Sequence, residues 1–406
     1  MTHLNGQAPP HFGLVILALA LGAFAIGTSE FAAMGLLPWF SADLALSESQ
    51  AGHVISAYAI GVVVGAPITT LLGARLPRRR YLASLIAIYG VLNILAAILP
   101  GYANLVGMRF LAGLPHGGFL GVGMLFAADA LPRGQRAKGI TQVMLGLTVA
   151  NIVGVPLAGV LGDVLGWRRG FALPGVIALV SGALILKLAP RVGVDPNARP
   201  MAELKALANP AVILTLLLGA IGNGGLFAVY SFLSKAMLET TTPPSWAVPL
   251  MLGLFGLGIT IGAIIASRLT IALGPLKAAL VIILFMALTQ IACALTVGNW
   301  VAMVVSAFFL GLGANIFVPL ATRLLDVAGE AQSMAAAMNH AAFNAANALG
   351  PFVAGMVLDM GYGWSSSGWV ALGLTGLGVV MLGVVWQHAA KHGTLDAGTG
   401  KAAAGH

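Results

Sequence analysis

The chain has 406 residues, of which 59% are hydrophobic and 8% charged, with a formal net charge of +8. Soluble domains carry about 25% charged residues, so this composition excludes a globule covered by water and points to a polytopic membrane protein. The single cysteine, Cys293, excludes an internal disulfide and sits in an apolar run, where it reads as a buried, inert thiol.

A span across a bilayer takes about 20 apolar residues. Runs of that kind fall at 14–37, 50–72, 81–99, 103–128, 138–161, 169–188, 210–234, 246–267, 276–297, 300–323, 333–358 and 367–387. They predict an all-α protein with twelve transmembrane helices. The N-terminus lacks the charged lead and small-residue cleavage site of a signal peptide, so the first run is expected to be a retained span. Between the sixth and seventh runs lies the one long polar, proline-rich interior stretch, from Pro190 through Pro200 to Glu203 and Lys205. The predicted organisation is an N-terminal six-helix bundle over 1–189, a cytoplasmic linker over 190–209, a C-terminal bundle over 210–387 and a disordered cytoplasmic tail over 388–406. His388, His392 and His406 in that tail are too loosely spaced to suggest a metal site, and none is expected.

With the N-terminus in the cytoplasm, 16 of the 20 Lys and Arg residues fall in inside loops and span ends. The positive-inside rule then places both termini in the cytoplasm. Topology and lipid headgroups account for a patch such as Arg78-Arg79-Arg80, and no nucleic-acid partner is needed. An internal repeat is visible: Gly65 followed by Arg75-Leu76 recurs as Gly258 followed by Arg268-Leu269, an offset of 193. Asn104 and Met108 recur as Asn299 and Met303. A repeat at half the chain length implies two pseudo-symmetric six-helix bundles with a site between them near the midplane.

One charge lies deep in a span. Arg109 sits eight residues after Gly101, and Glu30 eight before Pro38, so both are roughly 12 Å below the outer boundary at the helical rise. A charge at such depth costs several kcal/mol, on the order of 2.5–3.5 by insertion scales, and calls for a partner. Glu30 and Arg109 are expected to meet. Desolvation favours a neutral carboxylate and a nearby guanidinium a charged one, so a change in their separation could drive proton uptake and release. The alternative is a static ion pair tying the first helix to the fourth. Asp129, 20 residues after Arg109, falls roughly 30 Å away at the inner end of the fourth helix, near Arg78 and Arg75, as a cytoplasmic latch or a plain surface acid.

Other polar residues have helical spacing inside spans. Arg109, Gly113 and His116 share one face, as do His340, Asn344 and Asn347. Tyr58, Asn151, Asn223 and Asn315 complete the expected walls of a substrate cavity, each amide being open to either a substrate or a helix–helix role. His116 could titrate near neutral pH or remain a neutral hydrogen-bonded core residue. Between Pro210 and Arg323 the charges are Lys235, Glu239, Arg268 and Lys277, all near span ends. Proton chemistry is therefore expected in the first half, and a site with few fixed charges suits neutral or amphipathic solutes.

Several strings resemble the major facilitator superfamily, more narrowly the drug:proton antiporters of the AraJ-like, sugar and chloramphenicol efflux branch. They are Gly27-Thr28-Ser29-Glu30-Phe31 with Gly35-Leu36-Leu37-Pro38, Arg109 to Gly113, Gly146 through Gly154 to Pro156, and Asn339-His340-Ala341-Ala342-Phe343-Asn344 with Asn347 to Gly350. The loop Gly73-Ala74-Arg75-Leu76-Pro77-Arg78-Arg79 keeps the arginines of the family's gating loop but has Ala74 at its acidic position. The resemblance implies the major facilitator fold and proton-coupled efflux by alternating access. It also implies a cell-membrane location, protons and a small molecule as partners, a monomer, and no cofactor beyond the proton gradient. It implies a gating role for Arg75 and Arg78, to which the position of Asp129 adds a third cytoplasmic residue, and it agrees with the positional reading of Glu30 and Arg109 as the proton-coupling pair. Passive facilitation or proton-coupled uptake is the alternative, with a membrane sensor a more distant one. No Walker motif or nucleophile–base cluster points to a pump driven by ATP or to an enzyme.

Overall fold

The computed structural model describes residues 12–73, 76–129, 131, 136–190, 208–329 and 332–395. Among the described residues twelve helices are long and apolar enough to cross a membrane. In chain order they are α1 Phe12–Asp43, α2 Glu48–Gly73, α3 Arg78–Ile98, α4 Tyr102–Asp129, α5 Lys138–Leu165 and α6 Trp167–Leu188. The second six are α7 Pro210–Thr240, α8 Ala247–Leu273, α9 Pro275–Thr296, α10 Trp300–Val327, α11 Met334–Asp359 and α12 Ser366–Lys391. Most of the expected linker, including its proline-rich core, lies outside the described residues. So do Arg75 and the last residues of the tail.

Short connections force consecutive spans to run antiparallel. The tightest are single glycines: Gly166 joins α5 to α6 at φ 92°, and Gly274 joins α8 to α9 at φ 79°. Both lie in the left-handed region, where a Cβ is strained. Antiparallel alternation places both described chain ends on one side, called here the near end, and the α1–α2 turn on the opposite, far end.

Within each half, glycines let helices approach backbone to backbone. A Cβ at Gly61 would collide with the Phe110 carbonyl, and one at Gly113 with the Tyr58 carbonyl, so α2 and α4 touch there. The second half repeats the contact between α8 and α10: Gly258 against Phe308 O, and Gly311 against Phe255 O. These pairs fix the register of the internal repeat. Gly258 corresponds to Gly61, 197 positions earlier, and Gly311 to Gly113, 198 earlier. The sequence match of Gly65 to Gly258 is thus corrected by one helical turn, a shift that leaves a residue on the same helix face and so escapes pattern matching.

Three spans depart from regular helix. In α5 the residues Ala150–Gly154 form a π-helical segment. Pro156 lacks the N–H that would bond back to Ile152, and the slack is taken up just before it. Asn223 interrupts α7, which is broken again at Ser231 and Phe232. Residues 314–316 interrupt α10 three residues before Pro319. Irregular backbone at that depth is tolerated only where protein or a wet cavity surrounds it.

The apolar packing divides unevenly along the membrane normal. A large cluster near the far end is shared by both halves. Phe31, Leu36, Phe40 and Phe171 enter it from the first, and Phe227, Tyr230, Leu252 and Phe255 from the second. Toward the near end each half has its own core. Leu19, Leu82, Phe119 and Ile185 serve the first, and Leu218, Ile283, Leu320 and Leu382 the second. The halves are packed together at the far end and have separate cores at the near end.

The final helix runs past the predicted tail boundary at 388 and ends at Lys391. Beyond it Thr394 is tied back to α10, its carbonyl accepting from the buried Arg323 guanidinium at 2.9 Å. The Arg323 guanidinium thus holds the residues after α12 against the bundle.

Candidate transport site

Arg109 is fully buried in α4. Its guanidinium donates to Ser29 Oγ at 2.9 Å and to the Ser29 carbonyl at 3.3 Å. It lies 4.1 Å from the centroid of Tyr58 and 5.3 Å from that of Phe171, so two aromatic faces cover the buried cation. Ser29 Oγ in turn donates a hydrogen bond to Asn93 Oδ1, and Asn93 Nδ2 donates to the Tyr89 carbonyl at 2.9 Å. Tyr58 OH joins Tyr89 OH at 3.1 Å and His116 Nδ1 at 2.9 Å. The result is one polar chain through α1, α2, α3 and α4, sealed inside the first half.

Glu30 is not part of that chain in the way the sequence suggests. The expected direct ion pair with Arg109 is absent from the ion pairs of the described residues, although its charge still acts on Arg109. The reason is angular. Adjacent helical residues point about 100° apart, and Arg109 takes Ser29, the neighbour of Glu30. Glu30, 5% exposed, turns instead toward the other half, where Asn347 Nδ2 of α11 donates to its Oε1 at 3.4 Å. The carboxylate therefore stands on the seam between the bundles.

The remaining expected residues scatter. Asn151 lies on the π-helical segment and donates to Leu147 O at 3.1 Å, and its own carbonyl meets α8 at Gly256 across the seam. Asn223 and Asn315 occupy the breaks in α7 and α10. Asn315 Nδ2 caps its own helix at Gly311 O and Leu312 O, both 3.3 Å, whereas neither amide atom of Asn223 has a protein partner. His340 packs on Phe317 at 5.1 Å, and Asn344 Nδ2 donates to His340 O at 3.2 Å with its Oδ1 unpartnered. Arg78 and Asp129 are joined at the near end at 2.6 Å. Among the described residues no group of three or more His, Cys, Asp or Glu is placed to hold a metal.

Sequence reasoning did not identify Ser29, Tyr89 and Asn93 as members of the arginine's surroundings. Ser29 stood beside Glu30 in a quoted motif, but hydroxyls inside spans commonly bond their own helix and carry little signal. A far-end polar cluster also escaped it. Asp359, the last residue of α11, accepts from Ser47 Oγ at 2.8 Å, from the Glu48 N–H at 2.9 Å and from the Ser49 N–H at 3.3 Å. It caps α2 from the other half. Lys235 of α7 pairs with Glu48 and lies 3.7 Å from Glu239. Ser56 Oγ donates to Ala348 O at 2.7 Å. The polar contacts that cross between the halves thus run from mid-span to the far end.

Twelve spans, a repeated six-helix unit and a polar site at the seam define a secondary-transporter architecture. The Major Facilitator Superfamily profile matches residues 19–241 and 233–403. The chain belongs to that superfamily, and it is a multi-pass membrane transporter rather than an enzyme. It is 36% identical over 362 residues to the inner membrane transport protein YdhP of Escherichia coli, covering 86% of this chain and 90% of that one. It is 33% identical over 350 residues to a chloramphenicol resistance protein of Streptomyces lividans, covering 85% and 89%. It is 26% identical over 365 residues to a probable sugar efflux transporter of Helicobacter pylori, covering 89% and 93%. Among solved structures, the nucleoside transporter NupG shares the fold at TM-score 0.73 and 15% identity, covering 93% of this chain and 99% of that one. A bacterial homologue of the human lysosomal transporter Spinster, inward-facing and unoccupied, does so at TM-score 0.71 and 15% identity, covering 95% and 99%.

Proposed function

We propose that the protein is a proton-coupled exporter that exchanges protons for a small neutral or amphipathic solute, such as a drug or sugar, by alternating access. The observation that carries this reading is Glu30, a carboxylate buried on the seam between the two halves. A proton there changes a charge at the contact that alternating access must break. Arg109, held by Ser29 and Tyr58, supplies a fixed positive field that keeps an ionised Glu30 tolerable in a dry setting. No further cofactor is invoked; the proton gradient is the energy source, and one chain supplies both halves of the machine.

The relatives named for chloramphenicol resistance and sugar efflux support the direction and the solute class. The distribution of Lys and Arg supports an orientation with the near end in the cytoplasm, and the name of the Escherichia coli relative supports an inner-membrane location. On that orientation the conformation is closed to the outside, with Arg78 and Asp129 on the cytoplasmic side, where their ion pair serves as a gate within the first half. His116, His340, Asn344, Asn151, Asn223 and Asn315 are candidates for solute contacts.

The test is transport in proteoliposomes carrying an internal pH dye, with chloramphenicol, a pentose and ethidium as probes. Wild type is expected to move protons opposite to one of them, and Glu30→Gln to abolish that movement. Equal solute flux in both proteins with no pH change identifies a passive facilitator. Protons moving with the solute identify an uptake carrier.

A further inference from the structure

We propose that Asn347 is the residue through which the second half senses whether Glu30 carries a proton, and that its hydrogen bond to the ionised carboxylate locks the far end shut. The assignment rests on the antiport reading above.

The argument begins with the spacing of α11. Asn347, Pro351, Gly355 and Asp359 lie four residues apart and form one ridge along the helix. Every member touches the first half. Asn347 donates to Glu30. Pro351 O lies where a Cβ on Gly52 would need to be, and Gly355 sits against Glu48 and Ser49. Asp359 caps the start of α2. Opening the far end means lifting this ridge off α1 and α2, and its innermost contact is the one to the carboxylate.

Asn347 is also unlike a packing residue. It is 1% exposed, its Nδ2 donates across the seam to Glu30, and its Oδ1 has no protein partner. Buried amides are normally satisfied on both atoms. The bond itself, at 3.4 Å, is longer than the 2.7–2.9 Å typical of a charge-assisted bond. That leaves room for it to tighten on an ionised Glu30 and slacken on a neutral one. The other charged and titratable groups whose fields reach Glu30 are Arg109 on α4, Tyr58 on α2 and Tyr89 on α3. All three belong to the first half and move with Glu30, so they cannot report its charge to the second. Asn347 can.

The cycle then balances without any further reactant. With the far end open, a Glu30 oxygen takes a proton from water on that side. The neutral acid crosses as the ridge closes, and the proton leaves to near-side water. The carboxylate now binds Asn347 in full, and the empty carrier is held. Only solute binding offsets the bond and lets the far end reopen. Without Asn347 the empty, ionised carrier returns freely, and protons enter with nothing exchanged for them.

The experiment measures proton entry into proteoliposomes under an imposed pH gradient with no solute present. Asn347→Leu, which keeps the branched shape and removes the donor, is expected to raise that leak about tenfold or more, the order set by one hydrogen bond to a charged group. Asn347→Gln, which restores a donor, is expected to reduce it. Glu30→Gln placed on Asn347→Leu is expected to abolish it, a result that loosened packing alone does not produce. Asn347→Ala serves if the leucine variant does not fold. A folded variant with wild-type leak overturns the assignment, as does a leak that persists in the double variant. If wild type moves no protons with any of the three probes, the antiport reading falls and this assignment with it. If wild type is coupled and the leak is unchanged, only this assignment falls.

Discussion

Arg109 is held by its neighbour's neighbour. Its two terminal nitrogens engage a hydroxyl and a carbonyl of the same residue, Ser29, while Glu30 faces away. Removing the hydroxyl by Ser29→Ala leaves one guanidinium nitrogen and Asn93 Oδ1 without that partner in a dry site. We expect a loss of about 1.5–3 kcal/mol, the range for hydrogen bonds to charged groups, read as a lower midpoint of thermal unfolding in detergent. Arg109→Lys tests the fork differently. A lysine offers a point charge that cannot reach both Ser29 atoms and lie flat on Tyr58. Proton-coupled exchange is expected to fall severely in that variant even where the protein folds. At this scale the sequence was half legible. Depth along the helix put Glu30 and Arg109 at one level, because rise per residue is nearly constant. Azimuth was not legible, since a 100° step between Ser29 and Glu30 decides which of them an arginine meets, and that step depends on helix rotation set by packing.

Helix existence was legible throughout, because each span is a long apolar run bounded by polar or glycine residues. Helix interruption was not. Asn223 and Asn315 lie inside spans whose mean hydropathy is 2.1 and 2.2, so such an average carries no trace of the broken backbone. Pro156 follows the π-helical turn and lacks the N–H that would bond back to Ile152, but other prolines inside spans leave the helix regular, so proline alone did not mark the departure. The glycine contacts offer a sharp test at this scale. Gly113→Val places a branched side chain where α2 backbone already lies, so we expect little folded protein by size-exclusion chromatography. Gly107→Ala, six residues earlier on the same helix with nothing near its Cβ position, is expected to be tolerated and to raise stability by about 0.5–1 kcal/mol. The register of the repeat also gives α10 a position matching Arg109 at 198 residues further on, which is Ala307, fully buried among apolar groups. The duplicated half kept the scaffold without the arginine, as the scarcity of charge between Pro210 and Arg323 foretold.

The whole molecule is set by where its halves agree to touch. Asp359 bonds two backbone N–H groups and a hydroxyl at the start of α2, a carboxylate at a helix N-terminus supplied from the opposite bundle. Asp359→Asn removes the charge and weakens the cap by about 1 kcal/mol. The population with the far end open is expected to rise several-fold. Spin labels at the exposed residues Ala42 and Ser245, one on each half, measure it as a longer distance component. Twofold architecture was visible from the repeat, but the side on which the halves close was not, because the same apolar runs serve either state.

The uneven sharing of the core has a calorimetric meaning. Opening the far end exposes Phe31, Phe227, Tyr230 and Phe255, and closing the near end joins cores in which fewer aromatic residues are gathered. The two conformations then differ in heat capacity, the far-open one having the larger. Apolar burial weakens on cooling, so temperature itself acts on the balance: a chilled sample shifts toward the far-open form and a warmed one toward the conformation seen here, with curvature in the van't Hoff plot of the two populations.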